Sequence, residues 1–555
     1  MKKQFITHHS YFFIQWAVRW HVAFLALLAV LALLAFSTMG VYVVGDDLAW
    51  VQRAAADAHQ PWNAFVQPLF GDYYRPIPEL VWTLNYRLWG FDFDGHQLMF
   101  ILLWLAGVCA VYVVGCRLGG RIAGFAAATL IGLNGVYLLI SSWKSWYTTL
   151  TEFVAVLAWV WLTLRWLERR RTRHAIASAA LAVVATLSRE LAPLVISAVV
   201  LAGIVLPNFK TAEKKSRRRA LLWLIVWAAV TGGVLLALPS YRHIVGALLE
   251  KAQGPAPTAA AGGAKGISGG YVWTRFVAHT QGIFEQGGIS RYLVWFAALF
   301  GFLRVRRERP AFAKKYRRVL LGALVLGVIV LGLPWAIGAM GRKANDVSMS
   351  CVQPVMSGIL MLLFCAVAFA GDRADRMLGA WFLVSFAPIL LLEHRSGAYH
   401  LLAFAALALF TARALPAFVQ EEFLPAVARL RGKAPAGRED DTRYALVGFL
   451  AVLLISQAWT LGTGVRVAER RKDGIQDRVR YGRAMKAHVD RAIEGVLKNA
   501  GPARRVWVAP EPYAELAGLM LQEEHGFKVQ RLDQHDMIGL QAFDPLVHIY
   551  TDASR

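Results

Sequence analysis

His21–Phe36 reads HVAFLALLAVLALLAF, a run in which only the first residue is polar. A bilayer's hydrocarbon core is crossed by roughly 20 mostly apolar residues in a helix. Lipid offers no hydrogen-bond partners, so a crossing backbone closes on itself as a helix or joins a barrel. Barrel strands alternate apolar and polar side chains. This run does not alternate, so it reads as a transmembrane helix. Gly45-Asp46-Asp47 follows it in place of a small-residue cleavage site, which marks a retained helix and not a signal peptide.

The same pattern recurs past Thr460, and about thirteen spans follow from it. They begin near His21, Gln97, Ile122, Thr148, Ala220, Tyr292, Val319, Val352, Met377, His400 and Ala445, with a pair of short passes inside 174–206. That stretch is too long for one helix and has basic clusters on both sides; a hairpin tip at Ser188-Arg189-Glu190 accommodates both facts. The composition agrees. Of 555 residues, 57% are hydrophobic and only 17% charged, against roughly 25% charged in soluble domains.

The net charge of +24 lies in short clusters between apolar runs: Arg169–Arg171, Arg217–Arg219, and eight basic residues from Arg304 to Arg318. Clusters so placed write membrane topology through the positive-inside rule and are not a nucleic-acid footprint. With basic loops inside, the N-terminus is cytoplasmic and the C-terminus external. The outward segments are then 45–96, 141–147, 188–191, 240–291, 340–351, 393–399 and everything after about Gly464. Cys109, Cys116, Cys351 and Cys365 have no metal-ligand spacing and form no disulfide framework.

The fold class expected is an all-α polytopic membrane protein with a small C-terminal extracytoplasmic α/β domain. Residues 1–210 form the catalytic transmembrane module, with its first outer loop at 45–96. Residues 211–465 form a variable transmembrane region with an outer loop at 240–291, and 466–555 the external domain. Within 45–96 amphipathic helices lie at the interface. In the tail, Arg504–Ala509 and Val547–Thr551 read as strands and Pro512–His525 as a helix between strand-like runs.

Chemistry collects in the outward loops. Asp46 and Asp47 are adjacent carboxylates at a bilayer edge, where burial and mutual repulsion raise their cost; either one also suits a helix cap before Leu48. Further on stand Asp72, Tyr73, Tyr74, Arg75 and Pro76, then Trp82, Asn85, Tyr86, Trp89-Gly90 and His96. Most of those aromatics fit an interfacial belt. Arg75, held between a Tyr pair and a Pro, suits a phosphate, which a guanidinium grips with two hydrogen bonds. Lys144 in SSWKSWY is either a snorkelling lysine or a phosphate contact. Glu152, just inside the next helix, must face the protein interior or a cavity, where it pairs with Arg189 or positions an acceptor. Glu190 is a site residue or half of a structural salt bridge. Arg395, in Glu393-His394-Arg395, and Arg342-Lys343 are candidate cations on later loops.

An acidic pair after the first helix, then YYRPIPELVWTLNYRLWG and a His opening the second helix, resembles the GT-C superfamily of membrane glycosyltransferases. The pattern is most similar to its protein O-mannosyltransferase-like and TMTC-like branch. Leu187-Ser188-Arg189-Glu190 resembles the Lys-Glu or Arg-Glu of the same hairpin in these enzymes. The chain departs from that branch later in the second helix, where Met99, Phe100 and Trp104 stand in place of an Asn and a second His.

The resemblance implies transfer of a sugar from a polyprenyl-phosphate carrier to a protein, lipid or glycan acceptor at the outer face. By motif position Asp47 or Asp46 is the general base, and Arg75, Lys144 and Arg189 meet the lipid phosphate, with Arg395 behind them. Asp46 and Asp47, with Asp72 or Glu152, could supply hard oxygen ligands to Mg or Mn, and metal dependence stays open at this point. The Ala- and Arg-rich style points to a bacterial inner membrane with the site facing the periplasm. Two other readings stand beside this one: a lipid-linked saccharide flippase, and a surface-polysaccharide ligase or polymerase that uses Arg275 and His279 of the 240–291 loop.

Overall fold

The computed structural model describes residues 2–42, 46–67, 74–134, 144–169, 171–205, 293–311, 353–387, 400–430, 439–470, 475–499, 504–509, 511–531, 544 and 546–551, with a few isolated positions besides. Asp72, Arg342, Lys343, Arg395, the 240–291 loop and the spans expected near Ala220 and Val319 lie outside this set, as does the side chain of Asp46.

The first span is α1 (Lys2–Phe36). Two helices follow in the segment expected to form the first outer loop, α2 (Asp46–Ala56) and α3 (Pro76–Trp89). Prolines start α3, where the missing N–H costs nothing. The pair is held face to face by Arg53, which bonds Glu79 at 2.6 Å and Asp57 at 2.7 Å, and by Trp50 stacked near Trp82.

The stretch α4 (Phe93–Gly132) is two limbs broken at Gly120, whose φ of 84° and ψ of 176° no helix contains. The chain doubles back there. A Cβ on Gly124 would lie 2.6 Å from the Tyr112 carbonyl, and one on Gly115 would lie 2.7 Å from the Gly124 Cα. In a straight helix those residues would be more than about 13 Å apart. Spans expected near Gln97 and Ile122 therefore correspond to one hairpin of close-packed limbs.

Next come α5 (Tyr147–Arg169), α6 (Thr172–Thr186) and α7 (Leu191–Val200). The last two meet at residues 187–190. Then follow α8 (Leu293–Glu308), α9 (Gln353–Ala370), α10 (Arg373–Phe386), α11 (Leu401–Phe418), α12 (Leu424–Leu430) and α13 (Glu439–Arg470). Among the described residues four helices are long and apolar enough to cross a membrane: Arg19–Phe36, Phe93–Gly132, Tyr147–Arg169 and Leu401–Leu430. Shorter apolar helices lie at Leu191–Gly203, Gly358–Ala370 and Tyr444–Ala458.

Helix α11 is central, with nearly every residue from Leu401 to Leu415 buried against α4, α8 and α10. The chain closes with α14 (Ile475–Asn499) and a three-stranded sheet, β1 (Arg505–Val508), β2 (Lys528–Arg531) and β3 (Ile549–Thr551), with α15 (Pro512–His525) joining the first two strands. Strand order is β2-β1-β3, β1 running parallel to β2 and antiparallel to β3. A parallel pair needs a crossover, and α15 supplies it.

Candidate functional site

Those outer segments expected to carry chemistry that lie among the described residues meet at one end of the bundle. Asp47, in the first turn of α2, is wholly buried. It accepts a 3.4 Å hydrogen bond from the backbone N–H of Lys144. Lys144 is buried too, and its Nζ donates to the Val41 carbonyl. Burial pulls the Lys144 ammonium down to about 8, although the carboxylates of Asp47 and Asp94 favour its charged form. Asp94 is tied in from α4, accepting from the Gly40 N–H at 2.8 Å. A carboxylate and an ammonium, both out of water, thus sit where the first span ends.

Beside them is a wall of aromatic and amide groups. Asn85 donates to the Tyr147 hydroxyl at 2.8 Å, and that hydroxyl donates to the His96 carbonyl. His96 is buried, with Nε2 2.9 Å from the Gly90 carbonyl and Nδ1 without a hydrogen-bond partner among the described residues. Trp82 lies against both rings, 5.6 Å from His96 and 5.1 Å from Tyr147.

A second charged group gathers at the α6–α7 tip. Arg75, capping α3, makes a fork-to-fork pair with Glu190: Nε to Oε1 at 2.8 Å and Nη2 to Oε2 at 3.0 Å. Burial works to raise the Glu190 carboxyl, but the neighbouring guanidiniums of Arg75 and Arg189 hold it below its usual range. The Ile77 N–H donates to the Leu187 carbonyl, so the start of α3 is laced to the hairpin. Arg189 donates to Thr149 and approaches Glu152 to 3.9 Å, with all three buried. The two groups are joined by α5 itself: Lys144 lies just before it and Glu152 in its second turn.

Of the residues picked from sequence, Asp47, Arg75, Lys144, Glu152, Arg189, Glu190 and His96 are therefore brought to one end of the molecule. Glu190 pairs with Arg75 at the start of α3. Asp72 and Arg395 lie outside the described residues. Among the described residues no three His, Cys, Asp or Glu side chains gather closely enough to hold a metal ion. Sequence reading did not pick Thr149, Asp94, Tyr147 or Tyr42. Asp94 had a signal, since FDFDG precedes a long apolar run as a helix cap does; Thr149 and Tyr42 had none.

No protein-family model matches the chain, and no curated protein matches it. Among solved structures it is similar to the Archaeoglobus fulgidus oligosaccharyltransferase in two forms. With an acceptor peptide containing the NVT sequon tethered through a disulfide, identity is 15%, TM-score 0.41, and the match covers 79% of this chain and 54% of that one. In the apo form identity is 14%, TM-score 0.40, and coverage 79% and 55%. The chain spans about half the length of the structures it matches.

Proposed function

We propose that this chain is a GT-C-type membrane glycosyltransferase that passes a sugar from a polyprenyl-phosphate carrier to an acceptor hydroxyl or amide at the outer face of a bacterial inner membrane. The observation that carries the reading is Asp47: a carboxylate wholly out of water, at the end of the first span, set against a buried lysine. Burying a charge is costly unless it is paired, and so costly a group at a rim of convergent loops is a functional-site candidate.

The chemistry follows from the groups at hand. The acceptor heteroatom attacks the anomeric carbon as the bond from that carbon to the phosphate oxygen breaks. Asp47 takes the acceptor proton, and the lipid phosphate leaves with the bonding electrons. Attack from the face opposite the leaving group inverts the anomeric centre, the geometry that a single carboxylate base serves. Lys144 and Arg189 are the cations that steady the departing phosphate. Arg75 acts with Glu190 as one forked unit that fixes the α3 and hairpin ends around the carrier. Asp46, adjacent to Asp47, is the second carboxylate of the pair.

The test is transfer from a panel of radiolabelled polyprenyl-phosphate sugars in membranes containing the wild type, Asp47→Asn or Asp46→Asn. A positioned base contributes about 10²–10⁴-fold, so Asp47→Asn loses transfer by that factor while the protein keeps its melting temperature. Undiminished transfer by Asp47→Asn would remove Asp47 from the mechanism, and absence of transfer from every donor by folded wild type would remove the enzyme.

A further inference from the structure

The C-terminal segment lies directly over the end of the first span. In α14, a Cβ on Gly482 would stand 2.6 Å from the Tyr42 backbone nitrogen, so no larger residue fits that approach without a shift. From α15, Glu515 accepts a 3.3 Å hydrogen bond from Gln52 of α2, five residues beyond Asp47. Also on α15, the ring of Tyr513 stacks on Tyr42, centroids 6.4 Å apart and planes at 19°. Helix α14 packs on α15, with Tyr481 beside Tyr513. Burial first, then Tyr481, Tyr42 and the carboxylate of Asp47, push the Tyr513 hydroxyl above the ordinary tyrosine value. The Tyr42–Tyr513 stack and the Gln52–Glu515 bond place the C-terminal segment against the two stretches of chain that flank Asp47.

Aromatic faces continue inward from this point. Phe93 meets Tyr42 edge-on at 4.9 Å, lies 5.8 Å from His96, and is followed by Trp82. At the outer end Tyr481 is 52% exposed and Tyr513 half-buried. The cluster thus leaves one tyrosine open to solvent. Charges also border this seam: Asp490 and Glu524 act on Tyr42, Glu515 pairs with Arg531 at 2.7 Å, and Arg483 lies beside Gly40. The buried cations Lys144 and Arg189 are on the bundle side. An anionic lipid phosphate is drawn to the bundle side, whereas the seam offers ring faces and hydroxyls.

We propose that Tyr481 and Tyr513 form the acceptor wall of the Asp47 site, and that the acceptor they take is a neutral saccharide. This rests on the glycosyltransferase reading above. The apolar C–H face of a pyranose matches the negative face of an aromatic ring, and the tyrosine hydroxyls offer both donors and acceptors to the sugar's edges.

The full chain in lipid nanodiscs is probed by saturation-transfer NMR with methyl α-mannoside, methyl β-glucoside and methyl β-galactoside, and in parallel for transfer of labelled donor sugar to the same glycosides. At least one glycoside receives saturation from the wild type and from Asp47→Asn. Tyr481→Ala, at an exposed position that folding tolerates, weakens binding and raises the acceptor KM by about tenfold, the order of one lost aromatic contact, with the donor KM unchanged. Tyr513→Phe, which keeps the ring, retains most of the binding, whereas Tyr513→Ala does not. Glycoside binding or acceptor KM indifferent to Tyr481→Ala and Tyr513→Ala overturns the proposal, as does wild type that binds none of the three. Loss of transfer in Asp47→Asn alongside indifferent tyrosine variants sinks the acceptor wall alone. Full transfer by Asp47→Asn sinks the base assignment instead.

Discussion

Arg75 and Glu190 show how one pair of side chains can join two separate stretches of sequence. The pair is forked on both sides, with side chains 17% and 15% exposed, so each partner is largely out of water and satisfies the other. Removing one partner leaves a desolvated charge behind, at about 1–3 kcal/mol or more. Arg75→Ala and Glu190→Ala should each lower the melting temperature in detergent. The double variant should be less destabilised than the sum of the two, because the second change removes the orphan left by the first. Transfer assays on the same proteins separate the roles. If Glu190→Ala keeps kcat while Arg75→Ala loses it, the guanidinium reaches the carrier phosphate; equal losses mean that the pair only positions the loops. Lys144 differs in kind, because the acceptor of its Nζ is the neutral Val41 carbonyl.

Among the elements, the α4 hairpin carries the sharpest sequence requirement. Gly120 sits at a φ and ψ that only glycine adopts readily, and strain there costs a side chain of order 1–3 kcal/mol. Gly115 and Gly124 let the two limbs touch backbone to backbone. Gly120→Ala should therefore destabilise the protein by about 1–3 kcal/mol, read as a fall in melting temperature. An alanine at Gly448, where a Cβ meets nothing within 4 Å, serves as the control and should be neutral or mildly stabilising. The α6–α7 hairpin is legible in the sequence, because 174–206 cannot be a single span between two basic clusters. The α4 turn is legible too, through Arg117 and Arg121 interrupting an apolar run. What the pattern does not reveal is how tightly the limbs of α4 approach.

At the scale of the whole molecule the described residues sort into two poles. At one meet residues 40–42, 47, 75, 94–96, 144–149, 187–190 and the α14–α15 region, most of them in segments expected to face outward. Segments assigned inward meet at the other. There Arg304 of α8 bonds Asp372 at 2.9 Å and Asp375 at 3.1 Å, and Arg413 of α11 bonds both carboxylates from the opposite side and the Leu118 carbonyl. Nearby, Arg306 reaches Glu422 at 2.8 Å. Asp375 is almost wholly buried, so Arg413→Ala strips it of one of two cations. Breaking a buried ion pair costs about 3–5 kcal/mol, and thermal melts should show a loss of that order, while the donor KM at the far pole stays the same.

The apolar runs determined, by themselves, that the chain is an integral membrane protein built from long apolar helices. This property is local: hydropathy acts residue by residue, and the bilayer imposes a fixed length. The acidic pair, Arg75-Pro76 and Arg189-Glu190 also stood out locally, because charges beside apolar runs are costly wherever the chain goes. Only the tertiary structure decided who meets whom. It paired Arg75 with Glu190, 115 positions along the chain, set Lys144 against the first span's end, and laid Tyr513 on Tyr42. Such contacts depend on how helices cross and how the tail folds back, and no periodicity in sequence encodes the distance between residues hundreds of positions apart.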